Sequence, residues 1–119
     1  MQYILLLYAS ESSMSPTPAP GTPEFAEYMR PWEEYTQALQ NAGVMRGGEA
    51  LEPVATATTV SRGEREPVLT DGPFAETKEQ LGGFYLIECD HLDAALGWAG
   101  KCPILADGRV EVRPISVFE

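Results

Sequence analysis

Asp71, Glu76, Thr77, Lys78 and Glu79 crowd into one short segment, 71–83, which reads DGPFAETKEQLGG. A carboxylate such as Asp71 or Glu76 can act as a general base when burial raises its pKa toward the working pH. A lysine beside it, Lys78, can hold an anionic substrate. Asp71 and Glu76 are therefore the catalytic candidates, and Lys78 is a substrate-binding candidate. The purely structural alternative is a capped turn. In that case Asp71 bonds backbone amides around Gly72-Pro73, Phe74 anchors the loop in the core, and Glu76, Lys78 and Glu79 stay in water. The residues leave both readings open.

A second candidate comes from the end of the chain. Val110 and Val112 alternate with Glu111 and Arg113 over 110–117, as in a strand with one face buried. If the valines face a core, Arg113 points the other way. An arginine inside a cavity attracts a carboxylate or a phosphate. The competing role is an ion pair between two copies of the chain, for example with Glu49. Other reactive types are sparse. His91 is the only histidine and falls at the start of a helix, at the surface. Cys89 and Cys102 make no C-x-x-C motif and read as two reduced thiols. The sequence has no metal-binding cluster of His and Cys. Gly47-Gly48 lacks the lysine and helix of a phosphate-binding loop. The expectation is no metal and no cofactor. Trp32 and Tyr35 fit a core better than a cofactor platform.

Several elements must position these groups. Residues 3–8, YILLLY, form a continuous apolar run, the mark of a strand buried on both faces. Residues 10–23 hold prolines, serines and a glycine and read as a long loop, either an entrance lid or an unstructured connection. Phe25, Tyr28, Trp32, Tyr35, Leu39 and Ala42 are spaced three or four apart and draw one apolar stripe on a helix over 24–42. Pro31 predicts a kink there or the start of a second helix, and Gly43 predicts its stop. Strands are expected at 44–51, at 55–61 and 67–70 as a hairpin, at 84–89 and at 110–117. A second helix follows Asp90, which is expected to cap it with Asp93 in support. Its apolar face is expected to be Leu92, Ala95, Leu96, Ala99 and Cys102, with Pro103 ending it. The order is strand, helix, strand, hairpin insertion, strand, helix, strand. It predicts an α+β fold of the split βαβ, ferredoxin-like kind with both helices on one face of the sheet. The other face then needs a cover, and a second copy of the chain is the simplest one.

The chain has 119 residues, enough for one domain spanning 1–119. Its 44% hydrophobic residues support a packed core. Eighteen acidic residues against eight basic ones give a net charge of −10. That charge repels phosphate backbones and anionic lipid surfaces, so neither nucleic acid nor membrane is an expected partner. The apolar run at 3–9 is too short for a span or a leader and follows no positive segment, which predicts a cytoplasmic protein.

Segment 71–83, the strand FYLIECD, the helix LDAALGWAGKCP and the tail GRVEVRPI resemble the DGPF branch of the YCII-related family. The opening MQYILLLY and the segment LQNAGVMRGGEALEP fit the same pattern, so the resemblance omits little beyond 10–23. It implies a homodimer in which two ferredoxin-like protomers form a dimeric α/β barrel. It also implies a link to extracytoplasmic-function sigma factors, beside which such proteins are often encoded. One departure matters. YCII-like proteins carry a His–Asp pair, the His on the first helix and the Asp just before the proline ending the second. Here the first helix has no histidine and Cys102 precedes Pro103.

Two functions follow. The first is binding, or acting on, a small polar or anionic molecule in a cavity formed by the dimer. The second is a non-enzymatic regulatory or interaction role with a sigma factor or another protein. For the first, the expected pocket is lined by Asp71, Glu76, Lys78 and Arg113, with the 10–23 loop at its entrance.

Overall fold

A computed structural model describes residues 1–10, 17–75, 77–104 and 107–118. The elements are β1 (Gln2–Ser10), α1 (Pro23–Asn41), β2 (Met45–Ala50), a 3-10 turn (Val54–Thr56), β3 (Thr58–Arg62), β4 (Pro67–Asp71), β5 (Glu79–Glu88), α2 (Leu92–Gly100) and β6 (Arg109–Pro114). Four strands form one sheet in the order β2-β5-β1-β6, each neighbour antiparallel. The hairpin β3–β4 is a separate two-stranded sheet. The fold is α+β, and the described residues of the chain close no barrel.

Alternation along β1 decides which face is which. Tyr3, Leu5, Leu7 and Ala9 are buried, while Ile4, Leu6 and Tyr8 between them are only half-buried. On β5, Tyr85 and Ile87 join the buried set, and Phe84 and Leu86 the other. Tyr35 and Leu39 of α1 and Ala95 of α2 pack on the buried side, with Trp32, Trp98, Val110 and Val112 closing around them. Both helices therefore cover one face. Tyr35 stacks edge-on against Tyr85 at 5.3 Å between ring centres. Its hydroxyl donates to the Trp98 carbonyl at 2.8 Å. The Tyr85 hydroxyl meets Thr36 Oγ1 at 2.8 Å. Buried phenols thus keep partners, which offsets their desolvation.

Local signals explain the helix limits. The Thr22 hydroxyl caps α1 by accepting from the Phe25 amide, with Pro23 in the first turn. Gly43, at φ 73°, ends it. The Gly43 amide then donates to the Gln40 carbonyl and the Val44 amide to the Leu39 carbonyl, a Schellman stop. One helix runs through Pro31, so no second helix starts there. Only the C-terminal half of the expected stripe reaches the sheet, and Tyr28 is exposed.

In α2 the cap is His91 and not Asp90: its Nδ1 accepts from the Ala94 amide at 3.3 Å. The inward face also differs from the expected one. Leu92 and Leu96 are about half exposed, and Ala94, Ala95, Trp98 and Ala99 turn inward. Small alanines let the helix lie close to the sheet, and the Trp98 ring fills the space beside Tyr35.

Two glycines hold β2 against β5. A Cβ at Gly83 would lie 2.8 Å from the Glu49 carbonyl oxygen, and one at Gly48 would lie 3.0 Å from the Phe84 oxygen. Any side chain at either position would push the strands apart.

Candidate functional site

The site is built on the face the helices leave uncovered. Ile4, Leu6 and Tyr8 of β1 run down its middle beside Leu81, Phe84 and Leu86 of β5. On the β6 side, Tyr8 stands opposite Arg109, Leu6 opposite Glu111 and Ile4 opposite Arg113. Arg109 Nε lies 3.7 Å from Glu79 Oε1, and Arg113 Nε lies 3.9 Å from Glu111 Oε2. On the β2 side Gly47 and Glu49 face the same way, opposite Leu86 and Phe84. Arg46, at the bulge in β2, reaches Glu88 at 3.8 Å. An apolar strip is thus edged by charge on both sides.

The 71–78 segment enters at one end of this face, where Ser10 pairs with Glu79. Asp71 ends β4 and is exposed. Gly72 turns the chain at φ 93°. Its amide donates to the Ala57 carbonyl at 2.7 Å, and its carbonyl accepts from Thr59 Oγ1 at 2.7 Å. These two bonds close the turn, in place of the expected amide bonds to Asp71. Asp71, Gly72, Pro73, Thr77 and Lys78 line an open depression of about 600 Å³. Thr77 Oγ1 donates to the Glu79 carbonyl, and Gln80 Nε2 to the Thr77 carbonyl.

Phe74 corrects the sequence reading. It is 89% exposed and anchors no core within its own chain. The physical reason is the hairpin, which stands apart from the main sheet and leaves no apolar layer under the loop.

The four candidate residues are not all brought together. Asp71 and Lys78 share the depression. Glu76 lies outside the described residues, as do 11–16 of the loop expected at the entrance. Arg113 lies on the uncovered face but four residues along β6 from Arg109, about 13 Å at ~3.3 Å per residue. The cation at the loop end is Arg109, with Glu79 and Tyr8 beside it. Sequence reasoning missed Arg109 and Tyr8 and placed Glu79 in the cluster without a binding role, although a signal existed. Arg109, Glu111 and Arg113 share one period-two pattern, and an antiparallel β6 must start beside the end of β1. Asp71 needs burial to act as a base, and in one protomer it has none.

The remaining reactive groups sit behind the sheet. Burial pushes the Cys102 thiol up to about 12. Cys89 is also raised, first by burial and then by Asp90. Neutral buried thiols are poor nucleophiles and poor metal ligands. Burial raises the Tyr35 and Tyr85 phenols too. Among the described residues, no three of His, Cys, Asp and Glu gather as a metal site would require. No described helix is long and apolar enough to cross a membrane.

Such a chain is a small α+β protein with a one-sided sheet whose open face is apolar in the middle and charged along its edges. The chain belongs to the YCII-related family, whose domain matches residues 1–119. It is also similar to an uncharacterised protein of Rhizobium meliloti (strain 1021), with 37% identity over 121 residues that cover 100% of this chain and 95% of that protein.

Proposed function

We propose that the chain works as a homodimer of ferredoxin-like protomers, packed through the uncovered sheet faces into a dimeric α/β barrel. The shared cavity would bind a small polar or anionic molecule. The strand order β2-β5-β1-β6, with both helices on one side, supports the protomer part of this reading. So does the DGPF segment, which leads into the open face.

One observation carries the ligand class. The chain has a net charge of −10 and eight Lys and Arg residues, yet Arg109 and Arg113 lie on this one apolar face and Arg46 at its edge. Arg46 is also held by the Gly43 and Met45 carbonyls at 3.0 Å, but Arg109 and Arg113 have only long, exposed ion pairs, at 3.7 and 3.9 Å. Exposed pairs of that kind contribute little stability. They leave the guanidinium groups free to turn toward a carboxylate or phosphate once a second sheet excludes water. Lys78 extends the positive end, and Asp71 or Glu76 supplies a base if the second copy buries it.

Light scattering tests the assembly, and melting shifts with inorganic phosphate and a panel of small mono- and dicarboxylates test the ligand class. The reading expects a dimer and a stabilising anion whose effect Arg109→Glu or Arg113→Glu removes. A monomer, or anion effects indifferent to both substitutions, would refute it.

A second reading is a regulatory interaction with another protein, such as an extracytoplasmic-function sigma factor. Leu92 and Leu96 support it, because they are one turn apart and outward-facing on α2. A pull-down weakened by Leu96→Asp, with the dimer intact, would favour that role.

A further inference from the structure

The β3–β4 hairpin is the least explained part of the molecule. No ladder joins it to the four-stranded sheet, and every residue of β4 is exposed. Val60 and Leu69 pair across the hairpin on one face, 63% and 69% exposed. Phe74, just past its base, is 89% exposed. A lone two-stranded hairpin is marginal in water and gains stability by packing on something. The chain is also more extended than its length requires. The radius of gyration is 16.4 Å, against about 13.5 Å for a compact chain of this length.

The dimer reading makes a demand that the sheet alone does not meet. Four strands at ~4.8 Å spacing, six to ten residues long at ~3.3 Å rise, give a face about 19 Å wide and about 20 to 33 Å long. That is a flat footprint of roughly 400–600 Å² per copy, below the ~800 Å² that each partner commonly buries in a stable complex. More surface must be covered, and the arm supplies apolar surface rooted at the end of that same face, where β5 begins. Its charge permits the approach. Arg62 and Arg65 offset Glu64 and Glu66, so 58–71 carries only the single negative charge of Asp71 in a chain at −10. A nearly neutral arm meets an acidic copy with less repulsion than its other surfaces would face.

We propose that the β3–β4 arm, through Val60, Leu69 and Phe74, clasps a second copy of this chain along the rim of that copy's uncovered sheet face. Two-fold symmetry makes the clasp reciprocal, so each site is closed by the other chain's arm. The proposal rests on the sheet-to-sheet dimer above. It also gives Phe74 a burial that its own chain lacks.

The test replaces Phe74 with photoreactive p-benzoylphenylalanine in full-length protein. Light and ¹⁵N-labelled chains are co-refolded, irradiated and mapped by mass spectrometry. The expected result is mixed-isotope crosslinks from position 74 to peptides holding 2–10, 45–50, 79–88 or 109–114. Leu69→Asp should weaken dimerisation at least tenfold by concentration-dependent light scattering, with an unchanged circular dichroism spectrum. A wild-type dimer whose position 74 crosslinks only within its own chain, or to either helix, overturns the clasp and leaves the dimer standing. A wild-type monomer overturns both.

Discussion

Tyr8 and Arg109 stand opposite each other across β1 and β6, on the uncovered face and at the end where Ser10 meets Glu79. This pairing puts an aromatic ring, a guanidinium and, through the 3.7 Å contact of Arg109, the Glu79 carboxylate beside the segment that carries Asp71 and Lys78. Arg113, four residues on, belongs to the other end. The two arginines therefore have separable effects. If the ligand's anionic group sits at the loop end, Arg109→Ala should weaken phosphate or carboxylate binding by about 10- to 100-fold, the worth of a hydrogen bond to a charged group. Arg113→Ala should weaken it less. Calorimetric titration of both variants with one anion checks the ranking.

Leu6 lies mid-strand on the uncovered face. Leu6→Asp places a charge where a second sheet would pack, so light scattering should fall from about twice the 13.0 kDa protomer mass to that mass. Helical circular dichroism should persist, because both helices pack on the opposite face.

Leu39 and Phe74 predict stability losses of very different size in that monomeric background. Leu39 has 0% exposure, and Leu39→Ala should cost about 2–5 kcal/mol in urea unfolding. Phe74→Ala should cost no more than about 0.5 kcal/mol, the usual size of a surface change.

Cys102 predicts an alkaline loss of stability. Burial raises its folded pKa from the ordinary thiol value of 9.0 to about 12, so between these pH values the folded chain keeps a proton that the unfolded chain has released. Stability from this group is complete below pH 9 and declines as pH rises, by at most about 1.4 kcal/mol per unit. Cys102→Ala should flatten the slope of unfolding free energy between pH 9 and 10, before the unfolded tyrosines titrate. An unchanged slope would assign the loss to other groups.

His91 predicts a cap effect. His91→Ala removes the acceptor of the Ala94 amide and should cost about 0.5–2 kcal/mol, whereas His91→Asn, a stronger cap, should preserve stability. Thermal unfolding of the pair separates capping from a role in binding.

Much of the fold was legible in the sequence because period-two and period-three-to-four patterns report burial directly. The helix residues Tyr35 and Leu39 follow from spacing, and Gly43 marks a helix end through its left-handed φ, whereas the continuous apolar run at 3–8 named a strand without showing that Tyr3, Leu5 and Leu7 are its more buried side. Phe74 was misread because a large aromatic in a turn signals burial, and the hairpin stands apart from the main sheet and leaves no apolar layer under the loop. Leu92 and Leu96 were misplaced because α2 carries apolar residues on nearly every side, so spacing alone does not choose its inner face. Arg113 was preferred to Arg109 because composition along β6 gives the face of each side chain, while its height in the sheet depends on register.

The position of β1 has a consequence for how the molecule assembles itself. This strand precedes the other strands of its sheet in the chain and lies between β5 and β6, so Leu5 must wait for Tyr85, eighty positions later, and for Val112 beyond it. Until then YILLLY has no pairing partner in the main sheet, while α1 and the β3–β4 hairpin can form from nearby residues. Folding governed by such distant contacts is slow and exposes a sticky segment during synthesis. Yield in cells should therefore fall when translation outpaces folding, and lower temperature or a chaperone that holds the first ten residues should restore it.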